Sequence, residues 1–237
     1  MNPALAREIG ATLGTAITQH RAIGGGDIND AARVETADGR TIFVKHNADA
    51  PAGMFAAEAD GLAWLADARA LRVPAVLAAG ETWLALEWLE PGSRPRGFDA
   101  ELGRGLAALH AAGAPSHGHA RDNFIATIPQ ANAPAATWPA FWIERRLLPM
   151  VERAIAARDA PARWRDQVRA LAPRIPDEPP ARLHGDLWRG NVHCTGGAPA
   201  LVDPAVYGGH REVDLAMLAL FGGGYGAQVD AVLASAA

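Results

Sequence analysis

At 237 residues and 24.8 kDa, with 49% hydrophobic and 20% charged residues, the chain is long enough for one large domain or two small lobes around a real core. A net charge of −4 and a pI near 6.0 argue against a nucleic-acid polymer as partner, and no apolar run reaches the ~18 residues of a membrane span. The opening MNPALAREIG lacks the basic and apolar regions of a signal peptide, and the single cysteine, Cys194, excludes an internal disulfide and fits a reducing cytoplasm.

The first ninety residues read as a small sheet with one helix. ITQHRAI (17–23) could be a strand, GGGDIND (24–30) a loop, and AARVET (31–36) a second strand. Asp38-Gly39 marks a hairpin turn into the strand TIFVKH (41–46). PAGMFAAEADGLAWLADA (51–68) is predicted helical, with Phe55, Leu62 and Leu65 on one face. Strands over 75–80 and 82–90 complete the sheet. At Pro91 the composition changes, and PGSRPRG (91–97) reads as a connector. The remainder is mainly helical: a helix from Phe98 with Leu102, Leu106 and Leu109 in register, a long connection over 113–137, and amphipathic helices over 138–159, where Pro149 can kink the chain, and 161–173. The breaker IPDEPP leads to RLHGDLWRGNVHC (182–194), a short strand ALVD (200–203), the loop PAVYGGHRE and a helix over 213–221. The division expected is 1–90 and 91–237.

Of the 22 lysines and arginines one is Lys45, which leaves 21 arginines. A lysine kept against that bias suggests a task for a compact ammonium on a flexible stem. The strongest chemical signal lies later. Asp186 and Asn191 are five residues apart, and Asp203 follows the apolar Leu201-Val202. Phosphoryl transfer needs this set: one carboxylate to take a hydroxyl proton, and an amide with a second carboxylate to hold Mg²⁺ against the phosphates. Each residue alone could be turn chemistry; the ordered combination is uncommon by chance. Gly24, Gly25 and Gly26 stand between two strands, where a backbone can approach phosphates closely, though such a run alone is more often just a turn. Lys45, near the end of its strand, could neutralise phosphates while facing the cleft rather than the core, and Glu58 on the following helix could orient it by an ion pair.

The stretches GGDIND, TIFVKHN, FAAEADGL, LALEWLE, LGRGLAALH, DNFIATIPQAN, FWIERRLLP, LHGDLWRGN and DPAVYGGHREVDLAMLALFGG resemble the fructosamine kinase (ketosamine-3-kinase) family, in the wider aminoglycoside-phosphotransferase and protein-kinase-like fold. HGDLWRGN with DPAVYGGHREVDLAM is the specific part. The resemblance implies an α+β, bilobal protein-kinase-like fold, with a small antiparallel-sheet lobe carrying one helix and a mainly helical second lobe. It implies Asp186 as catalytic base, Asn191 and Asp203 as Mg²⁺ ligands, and Lys45 with Glu58 as the phosphate anchor. Glu87, Trp88 and Leu89 become the hinge whose backbone holds adenine, and Asp214 braces the catalytic loop; His184 is read as organising that loop. Family members continue beyond LFGG with helices that help close the acceptor pocket, whereas this sequence ends at Ala237, so the C-terminus is expected to be short.

The function expected is an ATP- and Mg²⁺-dependent kinase of the sugar hydroxyl of a free or protein-bound ketosamine, in deglycation repair, acting as a monomer or homodimer. The alternatives are an aminoglycoside- or choline-type kinase and a truncated nucleotide-binding relic. A metal hydrolase built on His184, Asp186, His193, Asp203 and His210 lacks paired-histidine helix spacing, so His193 and His210 are read as loop or packing residues. Trp64, Trp83, Trp138, Trp142 and Trp164 are assigned to core or interface, Trp188 to packing beside the catalytic loop, and Cys194 to a poorly reactive structural site.

Overall fold

The computed structural model describes residues 1–24, 28–221 and 234. Its first element corrects the one-helix expectation. α1 (Pro3–Leu13) starts on Asn2, whose Oδ1 accepts the Leu5 N–H at 2.9 Å, and ends at Gly14 with φ 69°. Asn as N-cap, Pro in the first turn and Gly as the left-handed stop are each ordinary helix punctuation. β1 (Ile17–Ile23), β2 (Asp30–Thr36), β3 (Thr41–His46), α2 (Met54–Asp67), β4 (Val76–Ala79) and β5 (Trp83–Glu87) follow close to their expected places. The five strands form one antiparallel sheet in the order β1-β2-β3-β5-β4.

The second helix explains why this sheet is apolar on both sides. Side chains alternate along a strand, and Val34, Ile42, Val44, Trp83 and Ala85 all face one way, onto Ile9 of α1. Trp83 adds a hydrogen bond from Nε1 to Glu8 at 2.7 Å. Phe43, Leu84 and Leu86 face the other way, onto Phe55 and Leu62 of α2. Lys45 lies two residues after Phe43 on that second face, so strand geometry alone aims it at α2.

Beyond the connector, α3 (Phe98–Ala111) buries Leu102, Leu106 and Leu109 against Leu187, Val192, Leu201 and Val206, which brackets the HGDLWRGN segment. The expected connection over 113–137 contains a hairpin of β6 (Asn123–Ile125) and β7 (Ile128–Gln130), turning through Ala126 at φ 53°. The single helix expected over 138–159 is three pieces. α4 (Trp138–Phe141) runs into a π-helical turn, Trp142–Leu147, and then α5 (Leu148–Ala156), so the irregularity precedes Pro149. The wide turn serves Arg146, which is buried between the rings of Phe141 and Tyr207 and donates to Ala131 O and Asn132 Oδ1. α6 is shorter than expected (Trp164–Arg169), followed by one 3-10 turn.

β8 (Ala181–Leu183) leads to the HGDLWRGN segment, β9 (Val192–Thr195) pairs with β10 (Ala198–Leu201), β11 (Tyr207–Gly209) pairs back on β8, and α7 (Glu212–Leu220) closes the described part. β10 therefore begins before the expected 200 and stops two residues short of Asp203. Among the tryptophans, Trp83 and Trp138 are core, whereas Trp164 is 43% exposed, which leaves for it the interface half of the core-or-interface reading. His193 is exposed, and His210 is buried beside Trp138. Among the described residues no helix is long and apolar enough to cross a membrane.

Candidate active site

Three parts of the chain converge. β3 supplies Lys45, whose Nζ stands 2.8 and 3.1 Å from the two carboxylate oxygens of Glu58 on α2 and 2.7 Å from Oδ1 of Asp203. The structure thus brings together residues 158 positions apart. Lys45 is only 7% exposed, so it is walled in by carboxylates rather than open to the cleft as expected. Burial alone disfavours its charge, but Glu58 and Asp203 outweigh that and hold its pKa above the ordinary value. Burial pushes the Glu58 carboxyl up, and Lys45 pulls it back. Asp203 shows its other side to solvent, at 46% side-chain exposure. Its φ of 56° is left-handed, a conformation uncommon for a side-chain-bearing residue and frequent at functional sites.

The segment after β8 forms the second part. Gly185 turns at φ 80°, where a Cβ would collide with the Ala205 carbonyl oxygen, so glycine alone fits. Asp214, fully buried on α7, accepts the backbone N–H groups of His184 and Gly185 at 2.9 Å each and meets His110 Nε2 of α3 at 3.0 Å. Burial opposes its ionisation, yet His110, His184 and the Gly185 N–H together hold its pKa below the ordinary value. His184 is buried too. Its Nε2 lies 2.9 Å from Val202 O and its Nδ1 lies 3.3 Å from the Asp186 N–H, an assignment in which Nε2 donates and Nδ1 accepts. It organises the loop, as read from the sequence.

Asp186 is held at the head of this loop. Burial raises its pKa, and His184 and Asn191 moderate the effect. The Asn191 Nδ2 donates to Asp186 O at 2.8 Å, to Asp186 Oδ2 at 3.2 Å and to Asp203 O at 3.4 Å. One amide therefore ties the Asp186 loop to the Asp203 turn, and its hydrogens are spent on protein, which leaves its oxygen as an electron-pair donor. Trp188 is 44% exposed beside Gly190.

Of the glycine run, Gly24 directly follows β1, whereas Gly25 and Gly26 lie outside the described residues. At the end of β5, Glu87 accepts from Arg72 at 2.6 Å, and its N–H donates to Ala75 O at 2.8 Å. Trp88 donates Nε1 to Glu90 at 2.7 Å, with Arg33 near its ring, and Leu89 is half-buried. His110 was not singled out from the sequence; only its place at the end of LGRGLAALH could have flagged it. No three His, Cys, Asp or Glu side chains converge as a metal cage among the described residues. The donors present, the half-exposed Asp203 carboxylate and the Asn191 amide oxygen, suit a hard cation that keeps waters and phosphates as its other ligands, which is how Mg²⁺ is usually held.

The model of the family described as fructosamine kinase matches residues 1–229. The chain belongs to the fructosamine kinase family. It is 42% identical over 233 residues to a protein of Thermus thermophilus named a probable ketoamine kinase, covering 94% of this chain and 80% of that one. It is 36% identical over 216 residues to a chloroplastic protein-ribulosamine 3-kinase of Arabidopsis thaliana, covering 86% and 66%. A crystal structure of a protein from Thermobifida fusca described as a fructosamine-3-kinase superposes with a TM-score of 0.88 at 38% identity, covering 100% of this chain and 84% of that one. At 16% identity and TM-score 0.67, a macrolide 2'-phosphotransferase from Brachybacterium faecium shares the fold alone. The chain is thus a small-molecule kinase of α+β, kinase-like fold, as the fructosamine kinase resemblance implied.

Proposed function

We propose that this fructosamine kinase family member transfers the γ-phosphoryl group of ATP to a sugar hydroxyl of a ketoamine, free or protein-bound, with Mg²⁺ as cofactor and deglycation repair as its role. The observation that carries the reading is Lys45 Nζ bridging Glu58 and Asp203 beside a loop in which Asn191 holds Asp186. We further propose that residues 1–90 hold the nucleotide and 91–237 hold the catalytic loop and acceptor. A buried cysteine kept as a free thiol is in keeping with a reducing cytoplasm.

In this reading Asp203 and the Asn191 oxygen would hold Mg²⁺, which when bound supplies positive charge against the phosphates. Lys45 adds a fixed ammonium, kept in place by Glu58. The glycines at 24–26 would cover the phosphates with backbone. Because the Glu87 N–H is committed to Ala75, a hinge donor for the base would come from Trp88 or Leu89. Asp186 accepts the proton of the acceptor hydroxyl at a carboxylate oxygen as that hydroxyl bonds to phosphorus and ADP departs. Its raised pKa makes it a better base than an exposed aspartate. Asp214 and His184 keep the loop from moving, and positioning is most of what such a site has to supply.

The test is direct: incubate the protein with ATP, Mg²⁺ and synthetic fructosyl- and ribulosyl-lysine, and look for a ketoamine that gains one phosphoryl group with ADP formed in equal amount. Magnesium-independent transfer, or transfer to aminoglycosides or choline and to no ketoamine, would overturn the proposal.

A further inference from the structure

Glu58 can meet Lys45 only if α2 is held in one place, and α2 does not hold itself. Its N-terminus begins on Gly53 with no side-chain cap, and no acid stands in its first turn. The outer side of the helix is instead gripped by the helical half of the molecule. Asp60 Oδ2 meets His119 Nε2 at 2.7 Å. The His119 ring lies 4.9 Å from the ring of Trp64, one turn further along α2. Arg182 places its guanidinium 4.8 Å from the same Trp64 ring and donates Nη1 to the Trp64 carbonyl at 2.7 Å. Between these contacts Gly61 presses on Val206 and Pro204, where a Cβ would stand 3.3 and 3.4 Å away.

Both gripping residues are themselves anchored. The His119 backbone N–H donates to Asn132 O at 2.9 Å, and the buried Asn132 is fixed by Arg146. Arg182 also donates Nε to Gly113 O at 3.2 Å, and it sits on β8, two residues before His184. The strand that delivers Asp186 is therefore the strand that holds α2, and Pro204 directly follows Asp203. A slide of α2 by 1–2 Å, the scale of ordinary helix shifts, would open the contacts from Lys45 to Glu58.

We infer that His119 and Arg182 are positioning residues, which clamp α2 through Asp60 and Trp64 so that Glu58 is kept on Lys45. The inference rests on the proposed phosphate-anchoring role of the Lys45–Glu58 pair, and its tests separate the two. His119→Ala should raise amide exchange across residues 55–62 by about 5- to 30-fold, with the core amides of β3 unchanged; this readout needs no substrate. His119→Gln, which keeps a donor toward Asp60, should restore most of the protection, and Arg182→Met should repeat the effect. In kinetics, His119→Ala should lower kcat/KM in the wild-type background but add no further loss in Glu58→Gln, since residues acting through one contact are non-additive. Unchanged exchange in α2 would overturn the clamp whatever the activity, and so would fully additive losses. A wild type with no phosphoryl transfer to any ketoamine would overturn the proposed function and leave the clamp to be decided by exchange.

Discussion

Lys45→Arg matches the chain's own preference for arginine, and the structure makes it costly. The ammonium reaches three carboxylate oxygens, two on Glu58 and one on Asp203, from a site 7% exposed. A guanidinium is broader and fixes its donors in a plane. It can fork onto both Glu58 oxygens, but the geometry that does so cannot also put a donor where Nζ meets Asp203. One charge-assisted hydrogen bond is lost, worth roughly 1.5–3 kcal/mol. If that loss is felt in the transition state, kcat/KM falls about 10- to 150-fold. Because Lys45 is buried between its partners, the fold feels the same loss, and at about 2–4 °C per kcal/mol for a chain of this size the melting temperature drops by roughly 3–12 °C. The assay compares kcat/KM and thermal melting of the two proteins, with Asp203→Asn and the double variant alongside. In melting, the double variant should be hardly worse than either single one, since both remove the same contact; in kcat/KM, Asp203→Asn also weakens the proposed Mg²⁺ site and should set the loss of the double variant. Wild-type efficiency and melting temperature in Lys45→Arg would refute the reasoning.

Asp186→Asn should leave melting nearly unchanged and cut turnover by about two to four orders of magnitude, the range for a general base. Since burial raises the Asp186 pKa and only the ionised form accepts a proton, the acid limb of wild-type kcat/KM should lie above pH 3.8, its ordinary value, and a limb at or below that value would contradict the assignment. Asp214→Asn removes a buried carboxylate that accepts the His184 and Gly185 N–H groups and meets His110 Nε2, and should cost about 1.5–3 kcal/mol at neutral pH for each charge-assisted hydrogen bond lost. The folded pKa of Asp214 lies below its unfolded one, so its contribution is complete above pH 3.8 and is lost as pH falls through the folded value; denaturant titrations of both proteins should therefore converge in acid. Cys194, buried with its thiol on Ser93 O at 3.3 Å, should label slowly in the native protein and rapidly in urea, and rapid native labelling would mean this strand opens readily.

That Lys45, Glu58, Asp186, Asn191 and Asp203 meet in space could be expected from the sequence, because phosphoryl-transfer chemistry restricts residue type and spacing, while strand alternation accounts for Lys45 facing α2. α1 was missed although Asn2, Pro3 and Gly14 punctuate it and Leu5, Ile9 and Leu13 recur every fourth residue on the face that packs against the sheet. The continuous apolar run of β5 records that both faces are covered and cannot say by what. The β6–β7 hairpin turns through an alanine at φ 53°, a position no turn residue marks. The π-helical turn before Pro149 exists for Arg146, whose partners Asn132 and Tyr207 lie in other segments. The outward Trp164 shows the limit of composition: a tryptophan is usually core, and only packing decides which one is not.

Asp214 also sets an order of events in folding. It is separated from His184 by 30 positions and from His110 by 104, and it follows both along the chain. Until α7 docks, the His184 and Gly185 amides have no carboxylate to meet, and the turn that carries Asp186 lacks its brace. Contacts this distant form only after the intervening loops have closed, an entropic toll that places them late. The sheet around β3, built from neighbouring hairpins, can assemble long before. In pulse-labelled refolding, amides 184–185 should gain protection together with those of α7 and after those of β2 and β3. A nascent chain emerging from the ribosome would on this account fold the sheet around Lys45 early and fix the turn that carries Asp186 last, once α7 has been made.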